Sequence, residues 1–92
     1  MNPEEAMSVL TVVLGEHREL SYSELKQRIG SSLLRELVSP SGTEYQIEVQ
    51  VFWDAKQEGN IRVQGAVSAG FWRQFVPLVD AFIIAPDGTM VE

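Results

Sequence analysis

Two hydrophobic periods divide this chain. In the first fourteen residues, Met7, Leu10 and Leu14 recur at i, i+3 and i+7 with Val13 beside them, and Val9 and Val12 widen the stripe. Asn2 is placed to cap, Pro3 suits a first helical position, and Glu5 stands three residues after Asn2, the spacing of a capping box. With Gly15 as a stop, the pattern predicts a helix from about Pro3 to Leu14.

A second helix is predicted after Ser21. Ser21 and Glu24 have capping-box spacing, and Leu20 and Leu25 fall where a hydrophobic staple would close. Tyr22, Leu25 and Ile29 form its apolar face, and Gly30 ends it. Leu33, Leu34 and Leu37 then keep helical spacing, so Ser31 is expected to cap a short third helical turn over Leu33 to Val38. Ser39-Pro40-Ser41-Gly42 reads as the break between helices and strands.

Beyond that break the period becomes two. Tyr45, Ile47, Val49, Val51 and Trp53 alternate with Gln46, Glu48, Gln50 and Phe52, as in a half-buried strand. Asp54 to Asn60 is a polar connection, after which Ile61, Val63, Gly65 and Val67 alternate with Arg62, Gln64, Ala66 and Ser68. Ala81 to Ala85 is almost wholly apolar, as expected of a central or covered strand. Pro86-Asp87-Gly88 has type I turn chemistry, and Thr89-Met90-Val91 would return as a short last strand. Phe71 to Phe75 is expected to extend as a strand that Pro77 terminates.

These elements give an α+β fold: two to three N-terminal helices packed on one face of an antiparallel β-meander of three to five strands. Residues 1–92 are expected to form a single domain, with a helical half at about 3–38 and a β half at about 43–92.

Composition narrows the function classes. The chain has no cysteine, which excludes disulfides, thiolate metal sites and a catalytic thiol. Its formal net charge is −6, and its basic residues are scattered, so the concentrated cationic surface that nucleic acid needs is missing. The acidic N-terminus lacks a signal peptide's basic region, and the nearly uncharged run Phe75 to Ile84 is too short to span a membrane. A soluble, cytoplasmic protein with no membrane role is the expectation.

Candidate chemistry is sparse. His17, the only histidine, lies between Glu16 and Glu19 and reads as a solvated connection residue; no metal or cofactor site is predicted. Gly59, Gly65 and Gly70 are spaced glycines in β context without the Lys-Ser/Thr of a phosphate loop, and serve a hairpin, a bulge and a turn. Asp54 and Asp87 read as structural. Asp80 interrupts an apolar run and, facing inward, would pair with Arg73 or Arg62. The segment Leu20 to Leu37 resembles the second and third helices of a winged helix-turn-helix, in which Ser31 to Val38 would enter the major groove with Arg35 as its strong contact.

The aromatic residues carry the remaining signal. Phe52-Trp53 and Phe71-Trp72 are adjacent pairs in predicted strands, so one member of each faces away from the helices. Phe52, Arg62, Trp72, Arg73 and Phe75 are therefore the candidate interaction surface, with Trp and Arg favoured as anchors. The Phe-Trp-Asp of the first strand, Gly-Asn-Ile-Arg-Val, the Gly70-Phe-Trp-Arg-x-Phe-x-Pro-Leu segment and Phe82-Ile-Ile-Ala-Pro-Asp-Gly88 together resemble a family of short bacterial proteins of unknown function, over about residues 43–92. The resemblance implies a stand-alone bacterial cytoplasmic protein and carries over no activity or site residue. The first functional reading is a non-enzymatic protein-binding or interaction module, regulatory or immunity-like, with a protein partner or a second copy of itself. The alternative is a winged-helix nucleic-acid binder. A third is a small enzyme gathering Asp80, Arg73 and Tyr45 or Tyr22.

Overall fold

The computed structural model describes residues 2–69 and 77–91. Helix α1 (Pro3–Arg18) and helix α2 (Tyr22–Lys26) precede strands β1 (Ser32–Val38), β2 (Glu44–Trp53), β3 (Ile61–Ala69), β4 (Leu78–Ile84) and β5 (Met90–Val91). The strands form one antiparallel sheet in the order β1-β2-β3-β4-β5, a simple meander, so the α+β expectation holds. The predicted strand over Phe71 to Phe75 lies outside the described residues.

Helix α1 begins where its sequence indicates, but without the full capping box, since Glu5 turns its carboxylate to Ser39, Ser41 and Tyr45 instead of the Asn2 N–H. The Asn2 side chain accepts hydrogen bonds from the backbone N–H groups of Glu4 and Glu5, and Pro3 occupies the first turn. Gly15 does not end it; the helix continues to Arg18. Tertiary contacts outweigh the glycine's helix penalty of about 1 kcal/mol. Leu14 and His17 are buried on the face that meets the sheet, and the Arg18 guanidinium lies 5.1 Å from the Phe82 ring centroid. His17 is accordingly a buried helix residue rather than a solvated loop residue. Its Nδ1 lies 3.0 Å from the Val13 carbonyl.

Helix α2 carries the expected capping box in full: Glu24 N–H donates to Ser21 Oγ, and Ser21 N–H donates to Glu24 Oε1. Leu25 is its buried anchor, with Tyr22 and Ile29 packed at the core margin. The Tyr22 hydroxyl donates to the Gly59 carbonyl at 2.7 Å, tying α2 to the β2–β3 connection, where Lys26 also pairs with Glu58.

The expected third helix is a strand. Residues 32–38 pair along β2, with Leu33 opposite Val49, Arg35 opposite Ile47 and Leu37 opposite Tyr45. Leucines at 33, 34 and 37 fit either period, and the long-range pairing decides between them. Ser39 to Gly42 therefore closes a hairpin instead of separating two halves. Ser39 N–H donates to the Thr43 carbonyl at 2.9 Å, and Gly42 takes a φ of 86° that suits glycine. The helical region thus stops before residue 32, and β structure begins there.

The core sits between the helices and one sheet face. Ala6, Leu10, Val13 and Leu14 of α1 meet Ile47, Val49, Ile61, Val63, Val67, Phe82 and Ile84. Gly65 belongs to the same face, in regular register opposite Val49 and Asp80, and the absent side chain lets Leu10 and Leu14 approach the strand. A close helix approach, not a bulge, explains this glycine.

Candidate interaction surface

Strand parity sorts the remaining side chains onto the opposite face. Phe52 stands directly across from Arg62, and Arg62 from Ile83, which is paired with Val91. The next rows bring Gln50, Gln64 and Ala81 together, then Leu34, Glu48, Ala66 and Val79. None of these residues belongs to the core cluster, and both helices pack against the other face. Leu34 is 63% exposed and Val79 54% exposed, whereas Phe52, Arg62 and Ile83 are half-buried by their neighbours. A shallow depression of about 220 Å³ is lined by Leu34, Gln46, Glu48, Ala66, Ser68 and Pro77.

Two of the five residues expected at this surface are thus brought together. Phe52 and Arg62 are cross-strand partners on the outer face. Trp72, Arg73 and Phe75 lie outside the described residues. Trp53 takes the other parity and packs against the core margin.

The charges settle differently from the sequence expectation. Arg62 Nε donates to Asp54 Oδ1 at 2.9 Å, across the mouth of the β2–β3 hairpin, so Arg62 does not serve Asp80. This pair fixes the guanidinium on the residue directly across from Phe52. Asp80 shares the parity of Phe82 and Ile84, and its Oδ1 accepts from the Ala81 N–H at 2.9 Å. Opposite it stands Gly65, and the Asp80 side chain is half-buried. On the outer side of β1 and β2, Glu36, Glu44 and Glu48 are exposed, and Ser32 Oγ donates to Glu48 Oε2 at 3.2 Å. Among the described residues, no group of three His, Asp or Glu side chains could hold a metal ion, and no helix is long and apolar enough to cross a membrane.

One constellation was hidden from sequence reasoning. Glu5 Oε1 accepts from three hydroxyls, Ser39 Oγ at 2.9 Å, Ser41 Oγ at 2.8 Å and Tyr45 Oη at 2.8 Å. These bonds, Tyr45's foremost, hold the Glu5 carboxyl below the usual carboxylate range. Burial first and the Glu5 contact second push the Tyr45 hydroxyl above its usual value. A carboxylate so stabilised is a weak base. Its role is a clamp, fixing the start of α1 to the β1–β2 turn.

The geometry also bears on the two other readings. Residues 31–38 cannot supply a recognition helix, because they enter β1, where Arg35 is bound by Glu16 at 3.0 and 2.7 Å. The two tyrosines offered as alternatives for a catalytic group lie at opposite ends of β2, and Arg73 is outside the described residues. Tyr22 reaches the Gly59 loop at one end of β2, while Tyr45 is clamped to Glu5 at the other.

No family model, curated protein or solved structure matches the chain.

Proposed function

We propose that the protein is a small non-enzymatic binding module that engages another protein through the outer face of its sheet. The observation that carries this reading is the set of apolar side chains on that face, Leu34, Phe52, Val79 and Ile83, with no described element packed over them. The exposed Leu34 and Val79, at the two ends of one row, and the half-buried Phe52 and Ile83 would supply the desolvation energy of an interface, about 25 cal/mol per Å² of apolar surface buried. Arg62, fixed by Asp54 across from Phe52, adds a preorganised anchor of the kind favoured at interface centres. Glu36, Glu44 and Glu48 give the β1–β2 side an acidic rim, favouring a partner with basic residues at its margin.

The absence of cysteine allows a clean test. A photoreactive label attached through Gln64→Cys sits mid-face, and one through Thr11→Cys sits on the exposed side of α1. In extracts of the source cell, the Gln64 label should give a discrete adduct that Val79→Asp abolishes, while the Thr11 label gives none. Equal adducts from both positions, or indifference to Val79→Asp, would remove the outer face from consideration.

A further inference from the structure

The long edge of the sheet raises a separate question. Among the described residues, strand β1 pairs with β2 on one side only, and it is seven residues long, about 23 Å at strand spacing. Leu33, Leu34 and Val38 are exposed on it at 43%, 63% and 68%. Natural edge strands of this length are usually blunted by proline, a bulge or charged side chains; β1 has no proline and no bulge, its inward charge, Arg35, is paired with Glu16, and Glu36 is its one outward charge. The ladder pattern tells which backbone groups are open. Ser39 N–H bonds across the hairpin to Thr43, so by alternation Leu37, Arg35 and Leu33 direct their backbone groups to β2. Ser32, Leu34, Glu36 and Val38 direct theirs to the open edge.

We propose that two copies of this chain pair through β1, antiparallel about a two-fold axis at Arg35, merging two five-stranded sheets into one. The inference goes beyond the outer-face reading and does not depend on it. Its register follows from the residues. A two-fold that keeps the helices of both copies on one side must pass through a residue, because directly opposed residues share a face. With the axis at Leu34, only Ser32 to Glu36 can pair, and Leu33 meets Arg35 of the other copy. With the axis at Glu36, only residues 34–38 pair, and Glu36 opposes itself; no described cation pairs with it. With the axis at Arg35 the whole strand pairs, giving about eight backbone hydrogen bonds.

That register also matches side chains best. On the helix side, Leu33 meets Leu37 of the other copy, twice by symmetry, in close non-hydrogen-bonded pairs. On the outer side, Leu34 meets Glu36 and Ser32 meets Val38, without like charges opposed. Arg35 does face its equivalent, but each guanidinium is already bound by two oxygens of its own Glu16. The pairs therefore meet as neutral units. A strand-edge contact of this length is smaller than a standard stable interface, so the dissociation constant should lie in the range of about 10–100 µM.

Sedimentation equilibrium of the full chain from about 1 µM to about 1 mM tests the proposal. A monomer–dimer equilibrium is expected. Leu34→Pro removes one open-edge N–H without touching the β2 ladder, and Leu34→Lys puts an outward lysine on the edge strand. Each should weaken association at least tenfold, with the circular dichroism of the dilute monomer unchanged. The outer-face variant Val79→Asp should leave association intact, which separates this proposal from the outer-face reading. For the register, Leu33→Cys chains mixed with Leu37→Cys chains should form the mixed disulfide in preference to either like pair. A monomer at every concentration overturns the proposal and leaves the edge to a different chain. A dimer indifferent to both Leu34 variants overturns it too, and preferential like-with-like disulfides overturn the axis at Arg35.

Discussion

Gly65 is the most exacting test of how α1 seats on the sheet. A methyl group placed there would lie 2.7 Å from Leu10 Cδ1 and 3.2 Å from Leu14 Cδ2. Carbon atoms rest at about 3.5–4.0 Å, so Leu10 must yield by about 1 Å. Both leucines are fully buried, so neither has an empty direction to move. Overpacking of this kind costs about 1–3 kcal/mol, while replacing glycine in the unfolded chain returns about 0.4–1 kcal/mol. Gly65→Ala should therefore lose about 1 kcal/mol, and Gly65→Val, with two more methyl groups, about 3 kcal/mol. Urea unfolding at constant m-value reads both. The decisive comparison is a double-mutant cycle with Leu10→Ala, which removes the obstructing atom. In that background Gly65→Ala should become neutral or stabilising, a coupling of about 1–2 kcal/mol. If Gly65→Ala is equally costly in both backgrounds, or stabilises the parent chain, the close approach is not what glycine serves here.

Two further expectations follow from side-chain hydrogen bonds. Glu5 is held below its ordinary value of 4.5, so its contribution is complete above that pH and is lost as pH falls through the lower folded value. Tyr45 is shifted the other way, so its contribution is complete below its ordinary value of 10.0 and is lost as pH rises through the higher folded value. Unfolding midpoints across the pH range should show Tyr45→Phe with a shallower acid limb than the parent chain; identical acid limbs would mean that the Glu5 clamp contributes nothing. At the other end of the sheet, Tyr22→Phe removes the hydroxyl bond to the Gly59 carbonyl and should cost about 1 kcal/mol, with faster amide exchange across residues 54–60. Unchanged exchange in that loop would show that α2 is not what orders it.

The readability of the chain followed the range of the interactions that decide each element. β2 and β3 were legible because apolar and polar residues alternate along most of their nine paired positions, against a neighbour reached by one connection, residues 54–60. The Asn2 and Ser21 caps were legible because donor and acceptor lie within three residues. β1 was not, since Leu33, Leu34 and Leu37 satisfy helix and strand periods alike, and only pairing with Tyr45, Ile47 and Val49 chooses between them. The end of α1 was misplaced for a related reason: Gly15 is a local stop signal, overridden by the contact of Arg18 with Phe82 on β4. The juxtaposition of Phe52 and Arg62 could be read from parity. The Asp54 partner of Arg62 could not, and neither could the hydroxyls on Glu5, which come from 34 to 40 residues away.

The two open surfaces of the sheet meet along the outward residues of β1, Leu34 among them. Leu34 turns its side chain to the outer face, beside Glu48, Ala66 and Val79, and its backbone N–H and C=O to the edge. A change in its side chain alone, such as Leu34→Lys, touches both surfaces, whereas a change at Val79 touches only the face. The pattern of failures therefore carries the information. If the adduct at Gln64 and the β1 dimer both vanish with Leu34→Lys, and only the adduct vanishes with Val79→Asp, the face and the edge are separate sites sharing one leucine. If Val79→Asp also dissolves the dimer, the second copy sits on the face, and the outer surface and the self-association are one and the same contact.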